Sequence, residues 1–531
     1  MLKANFVTAD EAAALVNPGD TVCPVGMTLC GASESILKAI EKRFLETGLP
    51  NSLTLLHSCG QSDRKNGIQH FAHEGFVTRI IGSHWGLQPR WMEMIANDKV
   101  EAYCLPQGQI AQLYRSMACG LPGKMSKVGL GTFVDPRVEG GKMNSRTRQL
   151  EDIVEVMRFH DEEYLFYLMQ PINVCIVRGT TCDGMGNLTR EEEAMKLEYL
   201  AAVMATRRFG GKVLAQVKRV AETGTLNPKL VEIPGVFIDA VVVCDNPEED
   251  HRQTSSWFYD PTYCGASRSP AASIEPIPLD VRKFIGRRAC QELYPGAIVN
   301  LGTGIPNDVV GKIAAEEAVA NDIMITVESG IYGGVQAGGV DFGIGKNLYA
   351  MIGHHEQMDY YNGAGVDITY MGAGELDGDG NVNATKMGDR CTGAGGFIDI
   401  TQTAKTVVFC ATFTASGLEV SFENNRLNIV REGRIRKMVK RVGQVSFNGK
   451  LARESGQNVV FVTERAVFRL VPEGVDLVEA APGVDVRKDV LDLMDFRPIV
   501  RGEPKLMDAG LFAQGKFGLA GAFYARGKPG K

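Results

Sequence analysis

A chain of 531 residues is longer than one hydrophobic core serves, and at roughly 150 residues per domain it predicts three or four units. With 57 Lys and Arg against 63 Asp and Glu the net charge is −6, and no basic stripe interleaved with aromatics is present, so nucleic acid is not an expected partner. Asp10 and Glu11 stand where a secretion signal needs an apolar core, and no apolar run approaches the ~20 residues that span a bilayer; the expectation is a soluble, cytoplasmic protein.

In chain order, Thr8-Ala9-Asp10-Glu11 reads as a capping box that opens a short helix, stopped by Asn17-Pro18-Gly19. Asp20 to Pro24 follows as a strand, then the glycine loop Gly26-Met27-Thr28-Leu29-Cys30-Gly31 and the helical stretch ESILKAIEKRF. A counterpart lies far downstream, where Gly296-Ala297-Ile298-Val299 precedes Gly302-Thr303-Gly304 and the helical NDVVGKIAAEEA. Two further pairs keep the same order: Asp183-Gly184-Met185-Gly186-Asn187 with Asp377-Gly378-Asp379-Gly380-Asn381, and Gly235 to Asp239 with Gly396 to Asp399. Three pairs in register predict two homologous halves, 1–245 and 279–531, joined by a Pro- and Ser-containing connector, 246–278, that ends in Pro276-Ile277-Pro278. Apolar runs such as Leu53 to Leu56, Ile172 to Val177, Ala240 to Cys244 and Thr406 to Cys410 alternate with helical stretches. That pattern predicts an α/β fold of two open, mainly parallel sheets fused in one chain. After Phe413 the pattern turns towards antiparallel hairpins (VSFNGK, NVVFVTERAVFRLV, VDLVEAAPG) and then a helix at VRKDVLDLMDF.

The twelve cysteines sit in apolar segments with no C-x-x-C pair, which predicts free core thiols. His354-His355 lacks the i, i+4 spacing of a helical metal site and reads as loop or surface, so no metal is expected. Gly302-Thr303-Gly304 begins a dinucleotide fingerprint, but Asn307 stands where the third glycine belongs.

The stretch with most chemical content is Asn321 to Gly345. Ile323 to Val327 is an apolar, β-branched run of the kind found in buried parallel strands, and Glu328 ends it. A carboxylate at the carboxyl end of such a strand, followed by a dense set of glycines, sits where open α/β sheets place their ligand crevice. A lone Glu there is either a strand-end cap or a nucleophile able to form a covalent acyl intermediate.

TVESGIYGG at Thr326 to Gly334, TGAGGFIDI at Thr392 to Ile400 and TERAVF at Thr463 to Phe468 resemble the family I CoA-transferases. HWGLQPR (His84 to Arg90), PQG (Pro106 to Gly108), GTFVDPR (Gly131 to Arg137) and RGTTCD (Arg178 to Asp183) look most like the single-chain acetate and propionate members, in which two subunits are fused. The resemblance implies that Glu328 is the nucleophile and carries CoA as a glutamyl thioester. It implies an oxyanion hole at Gly395 or Gly396 of Gly393-Ala394-Gly395-Gly396, and a side-chain donor to the substrate carboxylate at Gln107. Gly26, Met27, Gly31, Gly330 and Gly393 would contact the acyl-CoA. The implied substrates are a short-chain acyl-CoA and a free acid such as acetate, propionate or butyrate, with no ATP, metal or permanently bound cofactor and a homo-oligomer, expected to be a tetramer. On the same fold, hydrolysis of acyl-CoA and non-catalytic acyl-CoA binding are the alternatives.

Overall fold

The capping box at the N-terminus forms: the Thr8 hydroxyl accepts from the Glu11 N–H (3.2 Å), and Glu11 Oε2 accepts from the Thr8 N–H (2.8 Å), opening the helix Ala9–Ala13. The computed structural model describes residues 3–270 and 277–527.

A nine-stranded sheet carries the first half. Its parallel strands are β1 (Thr21–Pro24), β2 (Leu53–His57), β3 (Val77–Gly82), β4 (Glu101–Cys104), β5 (Val174–Asp183), β6 (Lys212–Ala221) and β7 (Ala240–Val243), in the spatial order 4-3-2-1-5-6-7. β5 is buried along its whole length, which is why its first residues, Val174 to Val177, read as an apolar run. The order reverses at β1, and the Gly26 to Gly31 loop leaves the sheet there.

A ten-stranded sheet carries the second half. Here β8 (Ile298–Leu301), β9 (Met324–Val327), β10 (Ile368–Gly372), β11 (Thr406–Cys410) and β12 (Asn458–Val462) run parallel in the order 9-8-10-11-12. One edge of this sheet is antiparallel through β13 (Ala466–Val471) and β14 (Gly474–Ala480), the other through the pairing of β9 with Ile331–Tyr332, and after Phe413 a separate antiparallel hairpin, Glu419–Glu423 with Arg426–Arg431, precedes the segments the sequence suggests. Asn458 to Val462, read as part of a hairpin, also completes the parallel sheet. VSFNGK is not a strand: Phe447 makes one bridge to Val382, and Asn448 caps the helix Gly449–Glu454. VRKDVLDLMDF forms only short helical turns at Val486–Val490 and Leu491–Leu493.

Two of the three sequence pairs hold in space. β1 and β8 are the equivalent inner strands, and the D-G-x-G-N turns follow β5 and β10, each with Asn donating to the Asp of its own turn (Asn187 to Asp183, 3.0 Å; Asn381 to Asp377, 3.1 Å). The third pair is a chance match. Asn187 Oδ1 accepts from the Gly235 N–H at 3.0 Å, and the same bond to Asn381 Oδ1 comes from Gly449, also at 3.0 Å. A Cβ on Gly235 would lie 2.2 Å from Met185 O, and one on Gly449 2.3 Å from Asp379 O, so both glycines are imposed by the same close approach of backbone to backbone. The counterpart of Gly235 is Gly449, which leaves Gly396 to a different task.

Through Pro270 the expected connector is ordered. Gln253 and Thr254 donate to Phe258 O (2.9 Å) and Trp257 O (3.0 Å), and the ammonium groups of Lys218 and Lys346 lie over the rings of Phe258 (4.4 Å) and Trp257 (5.5 Å). Pro276 lies outside the described residues. Val327, Ile331, Phe342, Ile344, Ala394 and Ile398 of the second half pack into the apolar cluster of the first, so the halves share a core. All twelve cysteines are free. Among the described residues no helix is long and apolar enough to cross a membrane.

Candidate active site

At the seam between the halves lies a partly open cavity of about 530 Å³, at the carboxyl ends of both sheets. From the first half, β3 delivers His84, and β4 leads through Pro106 into helix α1 (Gln107–Ala118), whose first residue, Gln107, faces the cavity. From the second half, β8 delivers Gly302 and Thr303, β9 delivers Glu328, β10 delivers Gly372, and the Thr392 to Ile400 loop closes the wall. Backbone bonds stitch the two sides: Trp85 N–H to Thr392 O (2.7 Å), Gly395 N–H to Ser83 O (2.9 Å) and Gln107 N–H to Gly395 O (2.9 Å). Asp399 fastens them further, accepting from the Gly108 N–H (2.9 Å) and from Gln109 Nε2 (2.7 Å) at the electropositive start of α1.

Glu328 follows the last residue of β9 and is 7% exposed. Its Oε2 has no hydrogen-bond partner among the described residues. Burial lifts its carboxyl to about 7, against the opposing pull of its own N–H and of the His354 charge. An ionised carboxylate with few donors is poorly solvated and correspondingly more nucleophilic than one in water. The turn that presents it depends on Gly330, whose φ is +101° and whose Cβ, if it had one, would lie 2.1 Å from Ile352 O.

Met27, Gln107, Gly393, Gly395 and Gly396 line the cavity with Glu328. A Cβ on Gly396 would lie 3.7 Å from the Glu328 Cβ, which places this part of the loop against the carboxylate-bearing residue. Because the Gly395 N–H is already bonded to Ser83 O, it is not free to receive an oxyanion. Three other predicted contacts lie behind the wall rather than on it. Gly26 and Gly31 shape the first glycine loop: a Cβ on Gly31 would fall 2.0 Å from the Tyr199 hydroxyl, which donates to Gly31 O (2.9 Å). Gly330 is spent on the turn.

The sequence reading missed a polar cluster beside Glu328. His354, expected in a loop or at the surface, is fully buried as the first residue of helix α2 (His354–Gly363). Its Nδ1 is 2.7 Å from Glu198 Oε2 and its Nε2 is 3.0 Å from the Gln107 amide. Ser58 donates to the other Glu198 oxygen, and Cys59 Sγ lies 3.8 Å from His354 Nδ1. Cys59, Glu198 and His354 are metal-ligand types with donor atoms within 4.8 Å of one another. A tetrahedral ion would hold nitrogen and oxygen about 3.3 Å apart, however, and the 2.7 Å separation is that of a hydrogen bond. His84 on the opposite wall is held to about 4 by burial and is neutral. Linear sequence offered one weak signal, the Gly353-His354 step into a helix.

A family model described as Coenzyme A transferase matches residues 6–244. The chain is 43% identical to the caffeate CoA-transferase of Acetobacterium woodii over 522 residues, 97% of this chain and 99% of that one. It is 39% identical to the acetate CoA-transferase YdiF of Escherichia coli K12, covering 97% and 96%. Crystal structures of the acyl-CoA transferase YdiF of E. coli O157:H7 superpose with TM-scores of 0.91 for the apoenzyme and 0.89 for a thioester complex with CoA, each at 37% identity over 97% of both chains. Two fused parallel-sheet halves, a glutamate raised between them and full-length identity at this level agree: the chain belongs to the coenzyme A transferase family.

Proposed function

We propose that this CoA-transferase moves CoA between a short-chain acyl-CoA and a free short-chain carboxylate, with acetate, propionate and butyrate as the acids, through a thioester on Glu328. The observation that supports this most is the carboxylate itself, buried at a seam between halves, without a hydrogen-bond partner on Oε2 and facing a cavity.

In the first step a Glu328 oxygen attacks the acyl carbonyl, the C–S bond breaks, and CoA leaves as a thiolate, which gives a mixed acyl-glutamyl anhydride. The thiolate then attacks the glutamyl carbonyl, the anhydride C–O bond breaks, and the first acid departs, leaving glutamyl-CoA. An incoming carboxylate attacks that thioester, and the two steps run in reverse to give the new acyl-CoA and free Glu328. The thioester bond energy passes along the series, so the balance needs no ATP. Each tetrahedral intermediate needs a donor for its oxyanion, and we assign the Gly396 N–H to the glutamyl side, because the Gly395 N–H is engaged. Met27 and Thr28 of the first-half loop face the acyl end, and Gln107 the substrate carboxylate. We also assign the chain to the cytoplasm, as a homotetramer of two-half subunits with boundaries 1–245, 246–278 and 279–531; light scattering of the purified protein should give the mass of four chains.

Initial-rate kinetics test the reading. Varying propionyl-CoA at several fixed acetate concentrations should give parallel double-reciprocal lines, with acetyl-CoA formed as fast as propionyl-CoA disappears. CoA released without acyl-CoA product would instead identify a hydrolase. Caffeate belongs in the acceptor series, given the A. woodii relative.

A further inference from the structure

We infer that the His84 imidazole N–H, set between the two glycine loops, is a hydrogen-bond donor to the sulfur of CoA as it leaves the acyl carbonyl. The inference deepens the function proposed above and rests on that reading for its meaning in turnover.

Two neighbouring histidines of the first half differ in how their rings are satisfied. His57 uses both nitrogens: Nε2 accepts from Trp85 Nε1 (3.2 Å), and Nδ1 therefore carries the hydrogen and donates to Cys59 O (2.8 Å). His84 uses neither. It lines the cavity, and among the described residues its ring has no hydrogen-bond or ion-pair partner. Polar groups in a protein wall are ordinarily bonded, so a ring with both nitrogens open to a substrate cavity points to a partner on the substrate.

Glycines leave those nitrogens uncovered. A Cβ on Gly60 would lie 3.1 Å from His84 Nδ1, and one on Gly86 2.9 Å from Nε2. A Cβ on Gly395 would lie 3.8 Å from Cδ2, and all three glycines line the cavity with the ring. On one flank Gly60 O accepts from the Thr28 N–H (2.8 Å), which ties that side to the first-half loop. On the other flank Gly395 precedes Gly396, which packs against Glu328. The residues on either side of His84 are pinned to the second half by the Ser83 and Trp85 backbone bonds. The ring therefore sits between the loop assigned to the acyl carbonyl and the loop assigned to the glutamyl carbonyl.

That gap is the one the sulfur crosses. When the C–S bond breaks, its electron pair goes to sulfur, and the thiolate must stay anionic until it attacks the glutamyl carbonyl, because a thiol is a poor nucleophile. A donor placed there has to stabilise the charge without surrendering its proton. A neutral imidazole does both: its N–H donates a hydrogen bond and holds its hydrogen, and the nitrogen nearer the sulfur is the one that carries it. An imidazolium would instead protonate the thiolate. Burial holds the His84 ring to about 4, so the neutral form is the one present, and His57 beside it is held to about 4 by the same cause. No proton moves in either step, and the bonds made and broken are those given above.

Ligand affinities test this in a Glu328→Gln background, where no covalent step intervenes. CoA and its thioether S-ethyl-CoA differ at the sulfur, which ionises only in CoA. At a pH above the thiol range of about 8.5, His84→Leu should weaken CoA binding by about tenfold to a hundredfold, the range for losing one charge-assisted hydrogen bond. Binding of S-ethyl-CoA should weaken by less than about threefold, because a thioether is only a weak acceptor. His84→Gln, which keeps an N–H donor, should recover part of the loss for CoA. Equal losses for the two ligands would mean that the ring only fills space, and no loss for CoA would remove the sulfur contact; either result overturns the inference. Should His84→Leu not fold, ¹⁵N-imidazole spectra of the Glu328→Gln protein decide. CoA at that pH should move the N–H of one neutral histidine downfield where S-ethyl-CoA does not, and identical spectra with the two ligands would refute the donor. These readouts need no turnover, so a wild-type protein that forms no glutamyl-CoA would defeat the proposed function and leave them intact.

Discussion

In the proposed reading Glu328 is the nucleophile, and its burial carries a cost in stability. A carboxyl raised from 4.5 to about 7 means that the folded chain binds its proton more tightly than the unfolded chain does. Stability from this group is therefore fully present below the unfolded value and is lost as pH rises from about 4.5 to about 7. Glu328→Gln should accordingly be more stable than wild type at pH 8, by roughly 2–3 kcal/mol, with the gain shrinking towards zero near pH 4.5. Denaturant unfolding at the two pH values measures it. The same titration governs activity: kcat/KM for acyl-CoA, which reports the free enzyme, should rise with pH and level off above about 7. The position of Glu328 at a buried strand end on the cavity was legible in the sequence, because a strand-ending carboxylate and a glycine-dense loop are local signals. His354 was not. Its meaning comes from Glu198 and Gln107, 156 and 247 positions away, and only the closed fold brings them into hydrogen-bond range.

Turns and loops divide the glycines into those that shape backbone and those that face the cavity. Gly330→Ala must accommodate both a φ of +101° and a Cβ 2.1 Å from Ile352 O, and should cost about 2–4 kcal/mol with loss of transfer. Gly388→Ala, at φ +58° with open space around it, is the control and should cost about 1 kcal/mol. Gly449→Ala drives a methyl into the carbonyl of Asp379 and should destabilise by about 2–3 kcal/mol, as should Gly235→Ala in the first half. Gly396→Ala meets only the flexible ends of Ile400 and Met358, at 3.2 and 3.3 Å, and should cost under about 1 kcal/mol while lowering kcat. Thermal unfolding of the five variants, with kcat for each, separates the two groups. Sequence gave the D-G-x-G-N turns correctly, because Asp and Asn write that turn with their own side chains. It mispaired Gly235 with Gly396 because a short G-x-F-I-D match carries no record of which backbone a glycine must admit.

At the scale of the whole chain, the alternation of apolar and helical stretches made two fused parallel-sheet halves readable, and full-length kinship with CoA-transferases agrees with that architecture. What alternation could not convey was how the halves meet. The seam is made of backbone bonds from Ser83, Trp85 and Gln107 to the Thr392 to Gly395 strip and of apolar residues buried jointly by both halves, and neither has a periodic signature. That seam keeps Glu328 from bulk water, which a glutamyl thioester requires if it is to meet a carboxylate before it is hydrolysed. The most direct test is to incubate the protein with propionyl-CoA in the absence of acceptor acid and to map CoA by peptide mass spectrometry. The account predicts a CoA adduct on the peptide containing Glu328, lost on adding acetate as acetyl-CoA appears, and absent from Glu328→Gln. Full transferase activity with no adduct, or an adduct on another residue, would contradict it.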